Sequence, residues 1–251
     1  MKRKKVLTNV VFFGDYDSVC ISEDNDQYAV LVANLVKKKF IPSSSQEISM
    51  QVNVTPNGKQ INEIPERKTV FRPVFLLNTV QHKRSITIKA DRLDIIDENC
   101  SDLEKLILEV SEYVKAFEEA YGIRHNRMAI NVRFQLLDKD KINEELIRKA
   151  FCPAFLSDRV QNKALTAWYT QFVHTRNIKF NEDKNVTVNI AIAIEESVIN
   201  KSPAFWCHID VNTDARNTSS LFSSQDIKLL TPIVLKEKKT ILEAINNDDN
   251  K

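Results

Sequence analysis

Glycine is almost missing from this chain of 251 residues, occurring only at Gly14, Gly58 and Gly122. A phosphate-binding P-loop or a dinucleotide-binding turn needs clustered glycines so that the backbone can approach phosphate, and single glycines this far apart build neither. Cysteine is scarce as well. Cys20, Cys100, Cys152 and Cys207 form no CxxC pair, and none has a histidine three to five residues away, the spacing that marks most zinc sites. Cys207 and His208 are adjacent, but neighbours on a strand point to opposite faces. The four read as reduced thiols of a cytoplasmic protein. No apolar run approaches the ~20 residues that cross a bilayer, so no membrane contact is expected. Lys2, Arg3, Lys4 and Lys5 precede an apolar stretch, but Gly14-Asp15-Tyr16-Asp17 stands where a leader would have its cleavage site. That segment reads as a first strand with a basic start. Charge of one sign is also lacking: the formal net charge is +2, so no global basic field points to nucleic acid.

What is present is a regular alternation of strands and helices. Hydrophobic residues make up 43% of the chain, enough for a real core. A strand over 6–13 is followed by a helix with Tyr28, Leu31, Val32, Leu35 and Val36 on one face and Asp26 as its expected N-cap. Ile41-Pro42-Ser43-Ser44-Ser45 ends that helix, and 47–54 alternates as a half-buried strand with Ile48 and Met50 inward. Residues 70–80 form a more buried strand in which Pro73 predicts an edge or bulge, and 85–96 read as strand, bend, strand. Ser101 to Glu104 look like a capping box opening a helix with Leu106, Ile107, Val110, Val114 and Phe117 inward and Gly122 as its C-terminal cap. The order then restarts, with a strand over 128–136, a short helix over 143–151, strands over 165–175, 185–195 and 204–213, and a last helix from Ser224 to Asn246. Asn9 and Asn131, in the two first strands, are 122 residues apart, as are Ser101 and Ser223 at the starts of the two long helices. The expected fold is therefore α+β, two tandem β-α-β-β-β-α units (1–122 and 123–247) sharing one antiparallel sheet with helices packed on one face, and a disordered tail at 248–251.

Two resemblances accompany this reading. The element order resembles the TATA-binding-protein-like architecture, which implies a curved antiparallel sheet with helices on its convex side. In sequence, Tyr121-Gly122-Ile123, Arg127 to Val132, His208-Ile209-Asp210-Val211 and the closing helix resemble an uncharacterised bacterial family of similar length and sporadic distribution. The resemblance implies an association with horizontally transferred systems such as antiviral defence, and it implies no activity.

The residues offer little catalytic chemistry. His82, His125, His174 and His208 show neither HxH nor HExxH spacing, and there is no Gly-x-Ser-x-Gly element. His208 and Asp210 share a strand face, an arrangement that orients an imidazole for acid–base work, although a polar strand face needs no such role. A metal-dependent nuclease is the enzymatic alternative, using Asp15, Asp17, Asp91 and Asp94; its usual Glu-x-Lys is represented by Glu66 and Lys68, placed in a loop. No cofactor or metal is expected.

The favoured reading is a non-enzymatic binding module that uses the polar face of the sheet: Asn53, Lys89, Asn131, Arg133, Asn189, His208 and Asp210. Amide side chains both donate and accept, so such a face reads peptide groups or base edges. The near-neutral charge favours a protein partner. Nucleic acid comes second, with Lys2 to Lys5, Lys83, Arg84, Lys89, Arg124, Arg127 and Arg133 as phosphate contacts. An edge strand is the expected route to any homo-oligomer.

Overall fold

The computed structural model describes residues 6–21, 25–51, 66–79, 83–136, 147, 151, 168–180, 185–199, 202–217 and 221–246. Asn53, Lys2 to Lys5, Cys152 and the tail at 248–251 lie outside these residues. So does most of the expected helix over 143–151, of which Ile147 and Phe151 are described and helical.

The protein is α+β. Its strands are β1 (Val6–Phe13), β2 (Ile41–Gln51), β3 (Glu66–Asn78), β4 (Lys83–Ile88), β5 (Arg92–Asp97), β6 (Arg127–Gln135), β7 (Trp168–Lys179), β8 (Asn185–Ile199) and β9 (Ser202–Thr213). They form one antiparallel sheet in the order β2-β3-β4-β5-β1-β6-β9-β8-β7. At its centre β1 pairs with β6, and Asn9 stands opposite Asn131. Alternation divides the faces. One row across seven strands, Phe75, Ile86, Ile95, Val10, Ile130, Val211 and Ile190, is wholly apolar and buried. The neighbouring row on the opposite face is Leu76, Ser85, Ile96, Asn9, Asn131, Asp210 and Ala191.

The helices cover the apolar side and share its core. Helix α1 (Asp26–Lys37) is capped by Asn25, which accepts from the Tyr28 amide at 3.0 Å; Asp26, expected as the cap, is its first helical residue. Helix α2 (Leu103–Tyr121) starts from Asp102, which accepts from the Lys105 amide at 3.0 Å, rather than from the expected capping box at Ser101. Leu106, Ile107, Val110, Val114 and Phe117 are buried beneath it as their spacing predicts. The expected single last helix is broken at Leu230 into a 3-10 turn (Ser224–Leu229) and α3 (Thr231–Asn246). Pro232 explains the break: without an N–H it fits a first helical turn but not an interior one.

Three other expectations change. Four strands separate α1 from α2, as the strand, bend, strand reading of 85–96 gives, so the order from β1 to α2 is β-α-β-β-β-β-α and not the expected β-α-β-β-β-α. The serines at 43–45 belong to β2, an edge strand, so Ile48 is exposed rather than inward. Glu66 and Lys68 begin β3 rather than lying in a loop. Pro73 does have an edge-like place, since the β3–β4 ladder begins only at Val74.

Two buried polar groups tie the layers together. Arg84 on β4 bonds Asp97 on β5 and Glu109 and Tyr113 on α2. Removing one partner of such a pair strands a buried charge and costs about 3–5 kcal/mol. The second is a clasp between the halves of the chain. The Tyr16 hydroxyl lies 2.9 Å from His125 Nδ1, and His125 Nε2 lies 3.2 Å from Glu118. Glu118 in turn accepts from the amide (2.6 Å) and hydroxyl (2.8 Å) of Ser224. These contacts hold the Glu118 carboxyl below its ordinary range against the opposing effect of burial.

Candidate functional site

The face of the sheet away from the helices carries the polar residues. Strands β6, β9 and β8 are neighbours, and their register sets Arg133 beside His208, Asn131 beside Asp210, and Asn212 beside Asn189. Six of the seven sequence-predicted site residues are described, and five of them meet here. Lys89 sits apart, after β4, with its ammonium 3.1 Å from Asp94.

The Arg133 cluster is the densest part of this face. The guanidinium lies over the Trp206 ring at 4.6 Å and donates to Glu195 at 2.8 Å. The other oxygen of Glu195 stands 3.4 Å from His208 Nε2. Burial and the nearby Arg133 push the His208 imidazole below its ordinary pKa, against the pull of Glu195. Arg133 is therefore held between an aromatic ring and a carboxylate, and is not the free strand charge its position suggests. His208 thus faces Glu195, while Asp210, which shares its strand face, accepts from Asn212 at 3.3 Å. Burial raises the Asp210 carboxyl, with Asn212 and Arg127 opposing the shift.

A second arginine follows the same pattern. Arg127 lies over the Phe13 ring at 4.7 Å and donates to Asn212 (2.9 Å) and the Thr213 carbonyl (3.0 Å). On the far side of β1, Asp94 meets both Lys89 and Arg92 (3.2 Å). Although the helices lie on the other side, Val11, Ala129, Asp94 and Asn212 are buried at the middle of this face.

Sequence reasoning missed Asn9, Glu195 and Trp206. The alternation that marks His208 and Asp210 also marks Trp206, and the alternation through Asn189 reaches Glu195. What it could not supply was the register that brings β8, β9 and β6 together.

The carboxylates of the nuclease alternative are dispersed into other tasks. Asp17 bonds Arg72 at 2.7 Å, and Asp15 accepts from the Asp17 amide at 3.0 Å. Asp91 turns the β4–β5 hairpin, with its carbonyl taking the Gly14 amide at 3.0 Å. Among the described residues, no three His, Cys, Asp or Glu side chains come together as a metal site. Of the thiols described, Cys207 is buried, which pushes it up to about 12, far from a reactive thiolate.

No protein-family model matches the chain, and neither a curated protein nor a solved structure shows significant similarity to it. No described helix is long and apolar enough to cross a membrane.

Proposed function

We propose that the chain is a non-enzymatic binding module that takes a protein partner on the helix-free face of its sheet, around Arg133, Trp206, Glu195 and His208. One observation carries the reading: the basic side chains along the middle of this face are already engaged. Arg133 is bonded to Glu195, Arg127 to Asn212, and Lys89 and Arg92 to Asp94. Phosphate binding draws its free energy from unpaired cations that release counterions, and these cations would first have to leave their carboxylates or amides. An arginine stacked on tryptophan and half exposed is instead the kind of group that dominates protein–protein binding energy. The raised Asp210 carboxyl adds to this, because a partly buried charge held at a cost in stability is typical of binding surfaces.

The tandem reading of the fold belongs to the same proposal. Outward from the β1–β6 centre, β5, β4 and β3 stand where β9, β8 and β7 stand on the other flank, with β2 added beyond β3. Burial at the middle of the helix-free face supports a sheet that is concave on that side, as the TATA-binding-protein-like resemblance implies. A partner encoded by a neighbouring gene would also test the defence-type association implied by the other resemblance.

The test is site-specific photo-crosslinking in the source cell from Gln135, which stands beside Trp206 in the ladder. The expected result is one protein captured at this position and lost when Trp206→Ala is added. Capture of nucleic acid instead, or a protein capture indifferent to Trp206→Ala, would overturn the reading.

A further inference from the structure

We propose that α1 and β2 form a symmetric interface with a second copy of this chain, joining two sheets edge to edge through β2 and laying the two α1 helices side by side. This surface is separate from the Arg133 face and does not depend on it.

Two features meet at the same edge of the molecule. The first is β2 itself, 11 residues long and outermost among the described strands. Natural edge strands are guarded by charged residues, proline or bulges, because an open row of N–H and C=O groups invites another strand. In β2, Ile41-Pro-Ser-Ser-Ser-Gln-Glu-Ile-Ser-Met-Gln51, the proline stands second and Glu47 is the sole charged residue. Glu47 is also engaged, accepting from Arg72 at 2.7 Å. The opposite edge differs: β7 has His174, Arg176 and Lys179 within six residues.

The second feature is α1, which packs against β2 and α2. Leu31 and Leu35 point into the core, while Asn34, Lys37 and Lys38 line the cleft to α2. At 100° per residue, the side turned away from α2 carries Val32, Val36, Ala29 and Ala33. Ala29, Ala33 and Val36 are exposed, the last at 48%. A helix apolar on its outer side as well as its inner side is short of a partner.

One symmetry operation satisfies both features. Antiparallel pairing of β2 with β2 of a second copy places a two-fold axis perpendicular to the sheet, which keeps both helix layers on the same face. The outermost helices, α1 and α1 of the second copy, then run antiparallel. Ala29 of one meets Val36 of the other, and Val32 and Ala33 meet at the crossing, where alanine allows close approach. Asp26 lies at one end of α1 and Lys37, Lys38 and Lys39 at the other, so antiparallel packing sets each acidic end beside the other copy's basic end. The helix contact alone is too small for the roughly 1,200 Å² of a stable interface, and the strand pairing supplies the rest.

Sedimentation equilibrium of the full chain tests this. Wild type is expected to show a concentration-dependent monomer–dimer equilibrium. Ala33→Glu on α1 and Gln46→Lys on β2 are each expected to weaken it at least tenfold, with unchanged circular dichroism, and with unchanged melting at concentrations where the wild type is monomeric, because both positions are exposed. Asp26→Lys should weaken the dimer and Asp26→Lys with Lys39→Asp should restore it, a rescue that misfolding would not give. A wild-type chain that stays monomeric to 100 µM, or a dimer unmoved by both Ala33→Glu and Gln46→Lys, overturns the proposal. Trp206→Ala should leave the dimer intact, so loss of the crosslinked partner and loss of the dimer are separable.

Discussion

His208 shows how the surroundings of a single residue on the sheet face make stability depend on pH. Its folded-state pKa is lowered, chiefly by burial and by Arg133. Below its ordinary value of about 6.5, the unfolded chain takes up a proton that the native chain resists. Stability contributed by neutral His208 is therefore present above that pH and is lost as pH falls from there toward the folded pKa. Asp210 acts in the opposite sense, since its raised carboxyl takes a proton in the native state first and gains stability as the pH drops through it. Urea midpoints measured between pH 8 and 5 should fall in the wild type, and the fall should be smaller in His208→Gln. An identical pH profile for the two proteins would mean that the imidazole is not desolvated by its neighbours. The residue types on this face were legible from alternation alone, because period two forces Asn131, Arg133, His208 and Asp210 to one side. Their partners were not. Whether Arg133 meets solvent, a carboxylate or an indole depends on residues 62 and 73 positions further along the chain, and only strand register decides that.

At the scale of elements, the helix interiors followed from spacing and the helix ends did not. Val114 and Ile241 are both buried, as the apolar periods of α2 and α3 require. Several side chains compete for each cap, however. Asn25 and Asp26 both accept well, as do Ser101 and Asp102, and the winner is the one whose backbone turns extended at the right point. The C-terminal ends of α1 and α2 solve the same problem differently. Gly122 has φ 66°, and Lys39 has φ 70°. In that left-handed region a Cβ crowds the following carbonyl, a penalty glycine avoids. A Cβ at Gly122 would touch nothing within 4 Å, so its cost is purely that of the backbone. Gly122→Ala should destabilise by about 1 kcal/mol, whereas Lys39→Gly should stabilise by roughly 0.5 kcal/mol after the entropy of a more flexible unfolded chain is subtracted. For a chain of this size the two melting temperatures should move in opposite directions by about 1–4 °C. Movement in the same direction would show that the ends of α1 and α2 are not equivalent caps.

For the whole molecule, the question is whether either half could exist without the other. The sheet has no seam: β1 pairs with β5 of its own half on one side and with β6 of the other half on the other. Residues 1–122 alone would expose the β1 edge along Val6 to Phe13, a mainly β-branched and aromatic strand with no charge to guard it. They would also lose His125 and Ser224, leaving the Tyr16 hydroxyl and the Glu118 carboxylate without the partners they have in the clasp. An exposed hydrophobic edge and stranded polar groups both work against independent folding. The 122-residue offsets between Asn9 and Asn131 and between Ser101 and Ser223 are the sequence signs behind the expected repeat, and they carry no sign of this dependence. Apolar alternation looks the same whether a strand's neighbour lies next to it in the chain or in the other half. The full chain is therefore expected to melt in one cooperative transition, with calorimetric and van't Hoff enthalpies equal. The fragment 1–122 should aggregate, or give a collapsed chain with poorly dispersed amide resonances and no cooperative melt. A soluble fragment with sharp, dispersed resonances and its own transition would show that the β1–β6 ladder joins two domains rather than completing one.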